Sequence, residues 1–415
     1  MKYLHTVEIK NYYSSKWLAL VLLILVYIFS FIDRQIIAVL GTQIREALSL
    51  SNTQIGILYG PAFSWVYAFM GLIMGRLADR YSRKYIVLVG LTIWSLMTFA
   101  SGFASSLMFL ITARFFVGVS QAALSPAVYS MLADYFKPER RATVFSLYAS
   151  GIFIGVGLSF LIGGSVATAY DWRVALKVVG LPGLGIALLG LFLLKEPQRK
   201  LEDKAKTSGF FEVLKFILQK KTVRYHLAGF SLLSLSGYTI LAFISTVLND
   251  SFNSPNLISR YGWFMFATGV SVNISGLIAD RIARKFGAEK RFLMGVFAAL
   301  AGLPFYYFGF FAGSAITAFL LIGVGNVLAS SYNGVAAALI QYFVKPDMRG
   351  MAGAVYLFVI SIVGFGFGPP FTGWLIDHYL TPSQALMSVF TFSGFLATIF
   401  FLLAMRSYAG DVESD

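Results

Sequence analysis

The sequence GRLADRYSRK at positions 75–84 decides the fold, because a near copy, GLIADRIARK, stands at positions 276–285. The second copy begins 201 positions after the first, and each copy follows a long apolar stretch. Another matching pair, YFKPER at 135–140 and YFVKPD at 342–347, follows a later apolar stretch in each half of the chain. The chain is therefore predicted to consist of two similar halves in the same orientation.

The composition places both halves in a membrane. Hydrophobic residues make up 58% of the 415 residues and charged residues only 13%, which leaves too little polar surface for a soluble domain. Apolar stretches of about 20 residues, each long enough to cross a hydrocarbon core of about 30 Å, recur along the chain. The sequence predicts an all-α membrane protein with two pseudo-symmetric six-helix bundles. Its twelve predicted spans are 17–40, 53–76, 85–105, 107–134, 142–168, 174–194, 226–248, 259–279, 291–312, 314–343, 351–377 and 383–405.

Positive charge predicts how these spans are oriented. Of the 33 Lys and Arg residues, 27 fall in the tails and the even-numbered loops, which is the pattern of cytoplasmic segments. Both termini are therefore expected in the cytoplasm, and the chain is expected to be a multi-pass protein of the cell inner membrane. The net charge of +14 reflects this topology, so no nucleic acid is expected as a partner.

The most charged stretch of the chain separates the two sets of six spans. It predicts an N-terminal bundle at 1–194, a cytoplasmic linker at 195–225 and a C-terminal bundle at 226–415. Within the linker, the amphipathic segment Phe210–Gln219 is expected to lie on the membrane surface.

The repeated loop resembles the signature loop of the major facilitator superfamily, and LITARFFVG at 110–118 resembles that superfamily's second motif. Within the superfamily, FIDR at 31–34 and DWR at 171–173 are most similar to the Spinster branch. The resemblance implies a transporter that works by alternating access, with its two halves rocking about a central site.

The resemblance also implies a latch that holds the cytoplasmic side closed. Asp79 and Asp280 are each expected to meet the amino end of a helix from the other half, a contact worth about 0.3–2 kcal/mol. The second copy lacks an acid matching Asp134, since Gln341 stands there, so its latch is expected to be weaker. The alternative is that these charges only set topology. The expected latch residues are Gly75, Asp79, Arg80, Arg83, Asp134, Asp280, Arg281 and Arg284.

Charges inside the predicted spans are candidates for the transport site, because each costs about 2.5–3.5 kcal/mol at the bilayer centre. Asp33 is the only one of the 19 acids well inside a span, and Arg34 and Arg114 are the only intramembrane cations. Arg34 shares a helical stripe with Tyr27 and Ser30, which predicts that it faces the cavity while Asp33 turns to a neighbouring helix. An Asp33–Arg114 pair is expected, either functional or only joining spans 1 and 4.

The second half carries no intramembrane charge and offers hydrogen-bonding and aromatic side chains instead. This contrast suits an amphiphilic anion whose head binds Arg34 and whose tail lies against the second half. The residues of the second half that are expected to face the substrate are Tyr238, Asn326, Asn333 and Tyr356.

Gln121 departs from the pattern of the Spinster branch, whose members usually carry an acid there that is thought to help couple transport to protons. A glutamine hydrogen-bonds but cannot ionise. Proton coupling through Asp33 and uncoupled transport therefore both remain open.

Small residues recur at every fourth position in spans 2, 5 and 8, and such seams allow helix backbones to approach closely. Either the seams only pack these spans statically or, as the resemblance implies, these helices line the joint between the halves, where smooth seams would permit rocking. The seams are Gly56-Gly60-Ser64-Ala68, Gly151-Gly155-Ser159-Gly163 and Ala267-Ser271-Ser275.

Together these features predict a secondary active or facilitative transporter of an amphiphilic or lipid-like organic anion, of the lysolipid or sphingoid type. The alternatives are a symporter of a small hydrophilic anion such as a sugar acid, and a non-transporting lipid sensor. Expected partners are this anion, membrane lipid and, if coupling occurs, protons; the chain is expected to be a monomer. No catalytic constellation, metal cluster or phosphate loop is present in the sequence, so neither an enzyme nor a cofactor is expected.

Overall fold

The computed structural model describes residues 2–199, 209–345 and 348–412, and within them all side chains except those of residues 2–15, 79, 142 and 350. Every regular element of these residues is a helix. Twelve helical stretches are long and apolar enough to cross a membrane, which confirms the predicted fold class. Spans 1 to 12 are Lys16–Val39, Asn52–Ala78, Arg83–Ser101, Leu107–Tyr135, Pro138–Ala169, Trp172–Leu193, Lys221–Ser251, Asn256–Phe286, Ala288–Phe310, Ala315–Phe343, Met351–His378 and Pro382–Val412.

Several spans are interrupted helices, and three of the interruptions are π-helical turns, which frequently mark functional sites. In span 11 the Trp65 indole N–H of span 2 donates to the main-chain carbonyl of Ile362, inside such a turn. The helices within the interrupted spans are Asn52–Tyr59 and Pro61–Arg80; Leu107–Gln121 and Leu124–Tyr135; Pro138–Leu158, π-helical Ser159–Gly164 and Ser165–Ala169; Lys221–Thr246 and π-helical Val247–Ser251; Asn256–Arg260 and Gly262–Phe286; 3-10 Ala288–Arg291, Phe292–Ala301 and Leu303–Phe310; Ala315–Ala329, 3-10 Ser330–Tyr332, Asn333–Leu339 and 3-10 Ile340–Phe343; and Arg349–Ile360, π-helical Ser361–Phe367 and Gly368–His378.

Two parts of the linker 195–225 belong to the described residues, one on each side of residues 200–208. In the first part, Arg199 donates to the main-chain carbonyl of Ala78 in the first half. In the second part, the helix Phe210–Gln219 buries Val213 and Ile217 completely in the core of the second half. Span 7 then begins at Lys221, slightly earlier than the sequence suggests.

With twelve spans, the described chain begins and ends on one side of the bundle, here called the terminal face; the opposite side is the distal face. The charge pattern predicts that the terminal face is cytoplasmic. Near the distal face, the main chains of span 2 and span 11 approach each other closely across the two halves. A Cβ atom on Gly56 would lie only 2.5 Å from the carbonyl oxygen of Pro369. Nearer the terminal face, positions for Cβ atoms on Gly71, Gly75 and Gly276 have no described atom of another segment within 4 Å. Phe69 of span 2 still contacts Phe358 of span 11 below this level, with ring centroids 5.2 Å apart. The halves therefore approach most closely near the distal face, and the three glycines are uncovered toward the terminal face.

Of the three seams of small residues, only that of span 2 lies at the joint between the halves. In span 5, Cβ atoms on Gly155 and Gly163 would meet Ile28 and Ile36 of span 1, within the first half. In span 8, the Ser271 hydroxyl donates to a main-chain carbonyl of span 10, within the second half. The helices of spans 5 and 8 do meet across the joint, since a Cβ atom on Gly157 would lie 2.6 Å from the Phe266 ring, but their small residues at every fourth position face their own bundle.

Candidate functional site

Arg34 is a half-buried cation near the distal end of span 1, about 27 Å along the helix from Lys16 at 1.5 Å per residue. Its guanidinium lies 4.5, 4.7 and 4.7 Å from the ring centroids of Phe31, Phe63 and Tyr67. No carboxylate of the described residues lies within 4.0 Å of it, and its buried Nε atom has no hydrogen-bond partner there. The site therefore presents an unpaired positive charge held in an aromatic cage.

Gln121 positions this guanidinium. Its Oε1 atom accepts from Arg34 at 3.3 Å, and its Nε2 atom donates to the main-chain carbonyl of Ser30 at 3.1 Å. The neutral amide thus uses both of its polar atoms on span 1. The Ser30 hydroxyl is buried and donates to the main-chain carbonyl of Tyr27, so it is already satisfied within span 1.

Arg114 binds the main chain of span 1 and not a carboxylate. Its guanidinium donates to the carbonyl oxygens of Asp33 at 3.1 Å and Arg34 at 3.3 Å, and it lies 4.9 Å from the ring centroid of Phe63. The expected ion pair with the Asp33 side chain is absent from the described residues, so that prediction is wrong. The physical reason is that the Arg114 guanidinium is already bonded to two main-chain carbonyl groups of span 1.

Asp33 is only 1% exposed, and neither of its carboxylate oxygens accepts a hydrogen bond from the described residues. Thr98 of span 3 lies beside it outside hydrogen-bonding geometry, as expected for a side chain that faces a neighbouring helix. Burying a carboxylate without hydrogen-bond partners costs free energy. This cost is relieved if the carboxylate takes up a proton or if a hydrogen-bond donor moves next to it.

Phe365 closes the site from the second half, and sequence reasoning missed it. Its ring centroid lies 4.2 Å from that of Tyr238 in a stacked pair, 4.9 Å from that of Tyr59 and 5.8 Å from that of Phe63. Phe63 in turn touches both Arg34 and Arg114. The wall opposite the cations is thus aromatic, and of the predicted residues it includes Tyr238.

The remaining predicted residues of the second half do not join this cluster. Tyr356 stacks on Phe230 in a separate buried aromatic group, Asn326 donates to the Thr268 hydroxyl at 3.4 Å, and Asn333 is exposed. In the first half, Tyr27 stacks on Tyr148 with ring centroids 4.0 Å apart. None of these four residues forms a hydrogen bond or ring contact with Arg34 among the described residues.

A second missed residue, Asp377, joins the halves at the distal face. Its Oδ1 atom accepts from the main-chain and side-chain N–H groups of Asn52, both at 2.9 Å. Its Oδ2 atom accepts from the Thr53 main-chain N–H at 2.8 Å and from the hydroxyl at 2.6 Å. Arg45 also pairs with Asp250 of the second half at 2.8 Å. These contacts hold the distal face closed in this structure.

A family model described as Major Facilitator Superfamily matches residues 23–369. The chain belongs to the major facilitator superfamily. A superfamily efflux pump of Mycolicibacterium smegmatis is 28% identical, over 95% of this chain and 94% of its own. Protein spinster homolog 1 of Xenopus tropicalis is 28% identical over 86% of this chain and 73% of its own length. A hexuronate transporter of Bacillus subtilis is 26% identical over 95% of this chain and 94% of its own length. The crystal structure of a bacterial homolog of the lysosomal transporter Spinster, in an inward-facing and unoccupied conformation, superposes with a TM-score of 0.83. The superposition covers 96% of this chain and 98% of that chain, and the two sequences are 24% identical. The predicted resemblance to the Spinster branch is confirmed.

In the first copy of the superfamily's signature loop, Arg83 is only 1% exposed and lies in a network of acids. It donates to Asp134, to Glu196 at 2.8 Å and to the carbonyl of Pro197 at 3.0 Å. Burial raises the pKa of Glu196, but hydrogen bonds from the Lys84 main chain, Arg83 and Ser82 more than offset this, so its pKa lies below the ordinary 4.5.

The second copy of the loop is paired differently. Asp280 forms an ion pair with Arg291 at 3.1 Å, within its own half. Arg80 and Arg281 are exposed, and Arg284 donates to the main-chain carbonyl of Asp280. The Asp79 side chain lies outside the described residues. The cytoplasmic latch therefore stays a prediction.

Proposed function

We propose that this chain is a secondary transporter that moves an amphiphilic organic anion of the lysolipid or sphingoid type by alternating access. Arg34 is the observation that carries the proposal. A guanidinium without a carboxylate partner, placed where two six-helix halves meet, is suited to bind a phosphate or carboxylate head group in two places. Its three aromatic contacts, worth about 0.5–2 kcal/mol each, would stabilise the cation while the site is empty.

The wall facing Arg34 supports an apolar tail on the substrate. Tyr238 and Phe365 present stacked rings, and the only hydrogen-bonding group of this pair is one phenol. Sites for amphiphiles combine one charged anchor with an apolar lining. A ligand with a compact anionic head and a hydrocarbon tail would satisfy both walls at once.

The distribution of contacts between the halves supports alternating access. Asp377 and Asp250 hold the distal face closed, whereas Gly71 and Gly75, further along span 2 toward the terminal face, have no described atom of another segment within 4 Å of their Cβ positions. For the site to open to the other side, these bonds would break and a contact at the terminal face would replace them. Asp79 and Asp280 are our candidates for that contact.

A small hydrophilic anion such as a sugar acid is the second candidate. Arg114 favours it, because its guanidinium touches the same Phe63 ring as Arg34 and would supply a second cation after a modest rearrangement. The similarity to a hexuronate transporter points the same way. Against it, both arms of Arg114 are already bonded to the main chain of span 1.

A thermal-shift screen of purified protein against lysolipids, sphingoid phosphates and sugar acids tests the proposal. We expect an amphiphilic anion to raise the melting temperature, Arg34→Ala to abolish that rise and Arg34→Lys to keep part of it. Arg260→Ala, which removes an exposed arginine at the distal face, is the matched control and should respond like the parent.

Uptake of the same ligand into proteoliposomes then separates a transporter from a sensor. Binding without uptake would make the protein a sensor. A rise with sugar acids alone would replace the amphiphile by the second candidate, and equal responses of the parent and Arg34→Ala would show that Arg34 is structural.

A further inference from the structure

The two copies of the signature loop differ in the hydrogen-bond partners of the arginine at the ninth position of each copy, Arg83 and Arg284. Arg83 of the first copy is buried among Asp134, Glu196 and a main-chain carbonyl. Among the described residues, Arg284, its counterpart 201 positions later, donates only to the main-chain carbonyl of Asp280 in its own helix, at 3.3 Å. The acid that would match Asp134 is replaced by Gln341. Within the part of the chain that the structure describes, the second copy thus retains a guanidinium without a carboxylate partner.

A cleft of about 450 Å³ opens beside this guanidinium, at the terminal face. The only carboxylate in its lining, that of Asp280, is neutralised by Arg291 at 3.1 Å. Arg281 and Arg284 form no ion pair with the described residues, so the lining keeps a net positive charge. We call this cleft the arginine notch; its lining is Leu277, Asp280, Arg281, Arg284, Arg291 and Tyr342.

An apolar stripe runs along the surface of span 8, from the notch at the terminal face toward the distal face. Val270, Ile274 and Leu277 follow one another at spacings of four and three, so they share one helix face. They are 60%, 51% and 67% exposed, and Trp263 lies at the distal end of the same face, 65% exposed. A tryptophan at one end and arginines at the other are typical of a helix face in contact with lipid.

We propose that the arginine notch binds the phosphate of an anionic phospholipid from the leaflet at the terminal face, with an acyl chain along the stripe. Guanidinium groups bind phosphate oxygens in a bidentate manner, and basic pockets at the membrane surface bind lipid head groups. A free phosphate would use the same arginines but would leave the stripe uncovered, and for this reason we assign the lipid. The lipid site is separate from Arg34 and does not depend on the substrate.

Lipid titrations of the full chain in neutral detergent test this assignment. Phosphatidylglycerol should raise the melting temperature of the parent, while phosphatidylcholine and millimolar inorganic phosphate should not. Arg281→Gln with Arg284→Gln should weaken the apparent affinity about 30-fold, from the usual contribution of each basic residue at an anionic surface. Equal stabilisation by inorganic phosphate would overturn the lipid assignment.

Two variants separate the notch from general surface attraction and from the transport site. Lys285→Gln removes one charge from the same loop but not from the notch, so it should lose clearly less affinity than Arg284→Gln. Equal losses in these two single variants would reduce the effect to surface charge and overturn the notch. Arg34→Ala should keep the full response to phosphatidylglycerol, and loss of that response would place the lipid in the central site instead.

Discussion

Asp377→Asn should shift the conformational equilibrium away from the state closed at the distal face. The carboxylate accepts four hydrogen bonds, two per oxygen, from the first turn of the helix Asn52–Tyr59. An asparagine keeps one acceptor oxygen, but its amide group opposes one pair of donors. The substitution therefore loses two bonds and the favourable interaction of an anion with a helix amino end.

The expected magnitude follows from the exposure of this contact. Hydrogen bonds to a charged group are worth about 1.5–3 kcal/mol each when buried. Asp377 is exposed, so solvent competes and the combined loss should be about 1–2 kcal/mol. That loss corresponds to a change of roughly 5–30-fold in the ratio of the two states.

Distances between spin labels at the distal face report the ratio. The chain contains no cysteine, so cysteines introduced at the exposed positions Ala47 and Tyr379 would be its only thiols. We expect a longer-distance population to appear or grow in Asp377→Asn. Asp171→Asn is the matched control, because Asp171 caps a distal helix within a single half, accepting from Val174 at 2.7 Å. An unchanged distribution in Asp377→Asn, or an equal shift in the control, would refute the reasoning.

Three further predictions concern the latch, coupling and pH. Asp79→Asn should shift the equilibrium in the opposite direction, toward a wider terminal face, and labels on the terminal ends of the two halves should show it; no change would remove the latch argument. Asp33→Asn should abolish any accumulation driven by a pH gradient in proteoliposomes, while Gln121→Glu should create or strengthen pH dependence; accumulation that survives Asp33→Asn contradicts coupling through this single acid. Glu196→Gln should lower the melting temperature at neutral pH. Because the pKa of Glu196 lies below 4.5, its stabilising effect is complete above that pH and is lost as pH falls through the lowered pKa. The difference in melting temperature between the parent and Glu196→Gln should therefore disappear at acidic pH. A difference that persists at acidic pH would show that the substitution acts through packing and not through charge.

The spans could be predicted because membrane crossing needs a continuous apolar run of fixed length. The predicted spans 53–76 and 85–105 lie within a few residues of Asn52–Ala78 and Arg83–Ser101. The interruptions could not be predicted in the same way. A π-helical turn such as Ser361–Phe367 changes the helix by one residue and leaves the apolar pattern intact.

The site was predictable where one helix determines it and not where two helices meet. Arg34 and Asp33 are adjacent on one helix, so helix geometry alone predicts that their side chains point in different directions. Arg114 was expected to bind a carboxylate, but its distance to a main-chain carbonyl depends on the depth of span 4 beside span 1. Asp377 and Asn52 are 325 positions apart, so only the assembled bundle brings them together.

The attachment of the linker limits how far the halves can move apart. Its first residues are fastened to one bundle through Arg199, and the helix beginning at Phe210 is buried in the other. Eleven residue steps separate these two anchors, and a chain extends at most about 3.3–3.6 Å per residue. The linker can therefore span at most about 40 Å between its two attachment points. This length limits how far the two halves can separate at the terminal face, whatever substrate is bound.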